Sequence, residues 1–342
     1  MLGHLAARAI DGVEEVANDR YRRTVAIDGA LGTVEVAHEP ALGNLVVLVR
    51  FPSVRALPAI LARTRRVFDV DADVETICAH LSHDPLLARI LKERPGLRPP
   101  GGWDGFEQAV RGVLGQQVSV IAARQLAGKL VAICGESLSG ETSGTPDALN
   151  RAFPSPERIV AAAEAGELGA IGMPDSRRKA IVALAHAAIE DPRLLEPFGA
   201  VSVEEATARL RAIHGVGEWT AQYIALRALR EPDAFPAGDV ALLRALEAGD
   251  GLEARPTPAE LLERAEAWRP WRAYTAQHLW TWDFTRTATK PAAAREAATA
   301  EASTPRSTAA ATAIRAQPRA LPRKTGSAAT RRTDTPKRKA AR

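Results

Sequence analysis

The sequence predicts a mainly α-helical chain that opens with a small α+β domain. Three observations carry that reading. Between residues 23 and 51 short β-like runs, RTVAIDG, GTVEVAH and NLVVLVRF, alternate with glycine-containing turns, the pattern of antiparallel strands. The segment ERPGLRPPGGW, 93–103, is dense in proline and glycine, and beyond it strand signals nearly vanish. From Asp104 onward apolar residues recur at three- and four-residue spacing, as in Phe106, Val110, Val113 and Leu114. These shifts divide the chain into an α+β domain over 1–98, a helical body over 99–285 and a basic tail over 286–342.

Amphipathic stretches at 4–18 and 53–67 predict helices flanking the small antiparallel sheet. Asp104 and Glu107 make a D-x-x-E helix start. That helix halts at Gly115-Gln116-Gln117, and another runs from Val118 to about Ile133. Residues 134–156, rich in Ser, Gly, Thr and Pro, predict a loop. Further helices are expected over 159–165, 176–189, 203–213, 218–230, 240–248 and 258–284, with no repeat of solenoid period.

Composition bounds the function. A hydrophobic fraction of 46%, a charged fraction of 25% and a mean hydropathy of −0.14 are ordinary for globular chains. No uncharged run approaches the ~18 residues of a membrane span, and the N-terminus lacks the apolar stretch of a signal peptide, so a cytoplasmic protein is expected. The two cysteines, Cys78 and Cys134, sit in apolar surroundings and are too few for a disulfide framework or a four-cysteine metal site. The formal net charge of +4 averages two unlike pieces. Residues 286–342 hold 14 Lys/Arg against three acids, which leaves 31 bases and 38 acids in the body. With almost no large apolar residues the tail is expected to be disordered, either a polyanion tether or merely solubilising.

The most informative string is LRAIHGVGEWTAQYIALRAL, 210–229. Gly215 and Gly217 suit a tight helix-helix turn, Val216 suits an inward anchor, and bare N–H groups at the next helix start suit a phosphate. Thr220 follows on that helix. The same G-x-G also fits an ordinary αα turn. Twenty-two positions after Gly217, Asp239 precedes another helical run. It suits an N-cap, and a capping carboxylate is also placed to face a developing positive charge. His80 and His83 could be a metal pair, but no third ligand is apparent and a solvated helix end fits as well.

The glycine hairpin followed at this spacing by an aspartate resembles the helix-hairpin-helix DNA glycosylase superfamily. Within it the chain is most similar to the 3-methyladenine DNA glycosylase II family, through MLGHLAARAIDGVEEV, RPGLRPPGGWDGFEQAVRGVLGQQVSV, GVGEWTAQYIALR and WRPWRAYTAQHLW. The resemblance runs from residue 1 to about 285. It implies a helical body of two subdomains with the active-site cleft between them, and excision of alkylated bases such as 3-methyladenine and 7-methylguanine from duplex DNA. The chain is then a monomer whose partner is that DNA, and it leaves an abasic site. Asp239 is the implied catalytic carboxylate, with Trp280, Tyr223, Trp219 and Trp271 around the flipped base. Gly215, Val216, Gly217 and Thr220 are implied DNA contacts, and Gln116 and Gln117 the loop that fills the vacated stack. Bifunctional relatives carry a lysine where Trp219 stands, so no strand cleavage is implied. No cofactor is implied beyond a cation on the hairpin carbonyls near Ile213 and Val216. Gln117 departs from a familiar leucine, and His4 and Val240 stand where other members place pocket aromatics. The chain begins at the family's first helix, as a misassigned start, a piece of a fusion with an alkyl-transfer module or a truncation would. A non-catalytic binder of damaged DNA, or a glycosylase for deaminated or oxidised purines, is the alternative.

Overall fold

The computed structural model describes residues 1–138, 148–197 and 202–288. Helix α1 (Leu2–Arg8) leads into a four-stranded antiparallel sheet, β1 (Glu14–Ala17), β2 (Arg20–Ile27), β3 (Ala30–Glu39) and β4 (Asn44–Arg50), in sequential order. Two-residue turns set the register. Asn18-Asp19 (φ 51° and 57°) pairs Ala17 with Arg20, and Asp28-Gly29 (φ 50° and 73°) pairs Ile27 with Ala30. Paired positive φ values match the twist of a hairpin, and Asn, Asp and Gly tolerate them best. Tyr21, Val25, Val34 and Val36 pack the inner face against Ile60, Val67 and Phe68 of α2 (Leu57–Phe68) and against Trp103.

The helix expected over 4–18 is a correction. It stops at Arg8, and residues 14–17 are strand. Ile10 and Val13 keep a helical spacing but are buried in the core of the helical body. The chain leaves the helix at Ala9 (ψ 124°), and the left-handed Gly12 (φ 84°) turns it toward β1. The Asn18-Asp19 turn then returns the chain onto β2, whose ladder outweighs local propensity.

The body comprises α3 (Val74–Leu81), α4 (Pro85–Glu93), α5 (Gly105–Leu114), α6 (Val120–Cys134), α7 (Pro156–Glu164), α8 (Asp175–Glu190), α9 (Val203–Arg211), α10 (Glu218–Ile224), α11 (Val240–Asp250), α12 (Pro258–Ala265) and α13 (Arg272–Ala288). Side-chain caps start most of them, among them Asp73, Asp84, Asp104, Ser119, Ser155, Ser202 and the Thr257–Glu260 capping box. One contiguous cluster of buried apolar side chains extends from Ile10 to Leu279. The stretch expected as one helix over 258–284 is two, because Pro270 cannot donate within a helix and separates α12 from α13. The 134–156 loop contains the short pair β5 (Glu136–Ser137) and β6 (Arg151–Ala152). Of the segment expected as a tail, residues 286–288 are the last turn of α13 and the remainder lies outside the described residues.

A buried ionic cluster fastens the sheet to α5. Arg23 of β2 donates to Glu107 of α5 at 2.7 Å, Arg111 of α5 pairs with both Glu107 (2.7 Å) and Glu14 of β1, and Tyr21 donates to Glu14 at 2.7 Å. Burial alone would raise Glu107, yet the guanidiniums of Arg23 and Arg111 outweigh it and hold the carboxyl down to about 2. Because α5 ends at Gly115, this cluster also fixes where the following loop begins.

Candidate active site

The hairpin is built at the junction of α9 and α10. Gly215 takes φ 81°, and a Cβ there would lie 2.4 Å from the Cβ of Ala180 on α8, so glycine is required both for conformation and for close approach. Val216 is buried at 4% exposure and anchors the turn inward, its N–H bonded to the Ile213 carbonyl at 3.1 Å. Gly217 is the N-cap of α10 without a side-chain cap and is open to solvent, so the first amides of α10 face outward unsatisfied.

The loop after α5 is tied to this hairpin. The Gln116 amide donates to the Gly215 carbonyl at 3.0 Å and to the Thr220 hydroxyl at 2.9 Å. Thr220 is 3% exposed, so its hydroxyl holds Gln116 and does not face solvent as a DNA contact would. Gln117 is exposed and left-handed (φ 55°), an unfavourable conformation for a residue with a side chain. Near the cation position expected at Ile213 and Val216, the Ile213 carbonyl accepts from the Val216 N–H and the neighbouring Gly215 carbonyl from the Gln116 amide, each keeping a second lone pair. Among the described residues no three His, Cys, Asp or Glu side chains group as metal ligands, and His83 instead contacts the His80 carbonyl.

Asp239 is the N-cap of α11, and four N–H groups converge on it. Its Oδ1 accepts from the Ala241 and Leu242 amides (2.9 and 3.2 Å) and from Trp280 Nε1 (3.0 Å), and its Oδ2 accepts from Trp219 Nε1 (2.8 Å). Oδ1 is thus saturated, whereas Oδ2 retains a free lone pair. Trp219 stacks on Tyr223 with centroids 5.2 Å apart, and Tyr223 meets Trp280 edge to face at 6.4 Å. One face of Trp219 is therefore already covered. The structure brings Asp239, Trp219, Tyr223 and Trp280 together. It does not bring Trp271 among them: that residue precedes α13, lies against Tyr274 and is nine residues, roughly 13 Å of helix, from Trp280.

Sequence reasoning missed Arg227, which lies in the π-helical turn Ala225–Leu229 after α10. Its guanidinium carbon is 5.2 Å from the Trp280 ring centre and 5.8 Å from that of Tyr223. A lone cation within the apolar run IALRAL was the only available signal. His4 also adjoins this region: burial and then the charges of Arg8 and Arg227 push it well below its ordinary value, so it is neutral at pH 7. Val240 stands exposed beside Asp239. Trp268 and the half-buried Trp282 pack in or against the core, and burial pushes the Cys134 thiol up to about 11. A depression of about 570 Å³ beside the hairpin, lined in part by Lys179, His186 and His214, does not include Asp239.

A glycine hairpin with outward amides, followed by a capping carboxylate against two indoles, defines a protein of the helix-hairpin-helix class. The family model described as AlkA N-terminal domain matches residues 1–104, and that described as HhH-GPD superfamily base excision DNA repair protein matches 110–270. The chain is 39% identical over 282 residues to a probable bifunctional transcriptional activator/DNA repair enzyme AlkA of Mycobacterium tuberculosis, covering 82% of this chain and 54% of that protein. It thus spans about half of that relative's length. It is 36% identical over 280 residues to DNA-3-methyladenine glycosylase 2 of Escherichia coli, covering 82% of this chain and 92% of that one. A solved 3-methyladenine DNA-glycosylase from Archaeoglobus fulgidus shares the fold with a TM-score of 0.70 at 22% identity, over 83% of this chain and 92% of that one. The chain belongs to the HhH-GPD superfamily of base excision DNA repair proteins and, within it, to the DNA-3-methyladenine glycosylase II family.

Proposed function

We propose that this chain is a monofunctional, monomeric DNA glycosylase that hydrolyses the N-glycosidic bond of alkylated bases flipped from duplex DNA. The observation that carries the reading is Asp239, held by two indole N–H groups and a helix N-terminus with one lone pair of Oδ2 left free. As the C1′–N bond breaks, its electron pair leaves with the base and positive charge develops on the sugar. A carboxylate ~4 Å away is worth about 4 kcal/mol at an effective dielectric near 20. The four donors hold the carboxylate in one orientation, so Oδ2 meets that charge without reorganising and can take the proton of the attacking water.

A base methylated at N3 or N7 is cationic and departs neutral, so the site needs no strong general acid for it. Strand cleavage by a Schiff base requires an amine, and among the described residues no lysine contacts Asp239 or the rings around it. Of the three lysines before residue 289, Lys129 donates to the Ile171 carbonyl, Lys179 pairs with Asp175, and Lys92 lies on α4. The outward amides of the hairpin hold backbone phosphate, and Gln117 enters the vacated stack, supported from behind by Gln116. Among the described residues no helix is long and apolar enough to cross a membrane. The test is incubation with methylated duplex DNA. Released 3-methyladenine and 7-methylguanine, with strands that break only after alkali, support the reading. Tight binding of damaged DNA without release supports a non-catalytic binder, and strand breaks trapped by borohydride exclude monofunctionality.

A further inference from the structure

Arg227 is the exception among the buried arginines. The other two buried arginines of the described residues, Arg23 and Arg272, each pair with a carboxylate. Arg227, 3% exposed, has no ion-pair partner among the described residues. It donates to the Pro100 carbonyl and to Gln277 Oε1, both at 2.8 Å, its Nε has no partner, and the rings of Trp280 and Tyr223 lie against it, with the Tyr223 hydroxyl and the charges of Arg8 and Arg230 nearby. An uncompensated buried cation is costly, and replacing it by an apolar side chain of similar volume is often neutral or favourable. Burial lowers its ionisation only to about 10, so the charge persists at neutral pH. It is set against the two rings that, on the reading above, stack the flipped base, while Asp239 lies at the edge of Trp280.

Resting on that reading, we propose that Arg227 is a specificity-determining residue of the base pocket: its unpaired charge favours movement of the glycosidic electron pair onto the base and disfavours the bound cationic base relative to a neutral one. When the C1′–N bond breaks, the pair stays on the base. A cationic base becomes neutral, and a neutral base becomes an anion that takes a proton from water. A water oxygen adds at C1′, and its proton passes to Asp239 or solvent. In either case the base gains one unit of negative charge, so a nearby fixed cation speeds bond cleavage for both. Only the cationic base is repelled before cleavage begins. Arg227 therefore trades ground-state affinity for cleavage rate with cationic bases, and gives rate without that loss to neutral ones.

The experiment compares duplexes carrying one 7-methylguanine or one hypoxanthine, cationic and neutral probes, under single-turnover conditions with the native chain, Arg227→Gln and Arg227→Lys. For Arg227→Gln, rate and half-saturating concentration should fall together with 7-methylguanine, each about tenfold, leaving their ratio within threefold of native. With hypoxanthine the ratio should fall about tenfold. Arg227→Lys, which keeps the charge but not the fork of hydrogen bonds, should hold the native preference between the two bases. Equal losses of the ratio on both probes in Arg227→Gln mean a structural arginine and overturn the proposal. So does a shifted preference in Arg227→Lys, which decides the matter if the glutamine variant does not fold. Absence of release from both probes by the native chain instead overturns the glycosylase reading itself, and release of 7-methylguanine but not hypoxanthine by the native chain overturns the role of Arg227 alone.

Discussion

Replacing Glu107 by glutamine removes one charge from the buried cluster joining the sheet to α5 and leaves Arg23, 3% exposed at its side chain, facing a neutral amide. Breaking a buried pair by deleting one partner costs about 3 to 5 kcal/mol, because the remaining charge stays desolvated. Glu14 lies 3.6 Å from Arg23 and also pairs with Arg111, which places the expected loss at about 3 kcal/mol. At 2 to 4 °C per kcal/mol for a chain of this size, the thermal midpoint should drop by roughly 10 °C. The pH dependence gives an independent reading. Glu107 is depressed in the folded state, so as acid is added the unfolded chain takes up its proton first. Its stabilisation is whole above the ordinary value of 4.5 and is lost as pH falls toward about 2. Between pH 7 and pH 3 the native chain should lose about 2 kcal/mol of the stabilisation that the glutamine variant has already lost at pH 7. Urea unfolding of both proteins between pH 7 and pH 3 measures this, and excision at 20 °C should stay within threefold because Asp239 is untouched. A loss below about 1 kcal/mol, or one that does not shrink with acid, would refute the electrostatic origin of the clamp.

Gly215→Ala should lower stability by at least about 1 to 3 kcal/mol and weaken DNA binding more than a surface substitution does, since φ 81° and the 2.4 Å approach to Ala180 both exclude a Cβ; normal affinity and melting would contradict this. Gln117→Gly relieves a left-handed non-glycine and removes the stack-filling side chain, so stability should hold or rise by up to about 1 kcal/mol while excision falls; unchanged excision would remove Gln117 from the flipping step. Deleting residues 289–342, which hold 13 Lys/Arg and three acids, should flatten the salt dependence of DNA binding, and an identical slope in the full and shortened chains would dispose of the tether.

Much of the architecture was legible because local signals agreed with tertiary demands. The three runs between 23 and 51 are bounded by glycine-containing turns, and Asp104 and Asp239 announce helices that form where expected. Reading failed where periodicity pointed the wrong way. Ile10 and Val13 stand three apart as on one helical face, but they enter the helical core while Leu5 packs under the sheet. The helix expected over 258–284 spans Pro270, whose missing N–H outweighs the surrounding pattern. In the site, Asp239 and its indole partners were reached through a family resemblance, since residues 20 and 41 positions from Asp239 carry no local sign of meeting it. Thr220 faces inward onto Gln116, and Trp271 stands apart, because side-chain direction depends on packing that no spacing encodes. Arg227 shows in the sequence only as a lone cation in IALRAL, because what distinguishes it, the lack of a carboxylate partner among the described residues, is a matter of space.

The central claim is that Asp239 performs chemistry in addition to capping α11, and Asp239→Asn separates the two roles. Asparagine caps a helix about as well as aspartate, so the variant should fold with a stability loss of no more than about 2 kcal/mol, arising from the amide that now meets an indole N–H. Single-turnover release of 7-methylguanine should nonetheless slow by about a thousandfold, the kinetic equivalent of about 4 kcal/mol of carboxylate stabilisation. A folded variant that releases the base within tenfold of the native rate would leave Asp239 as a cap and contradict the mechanism.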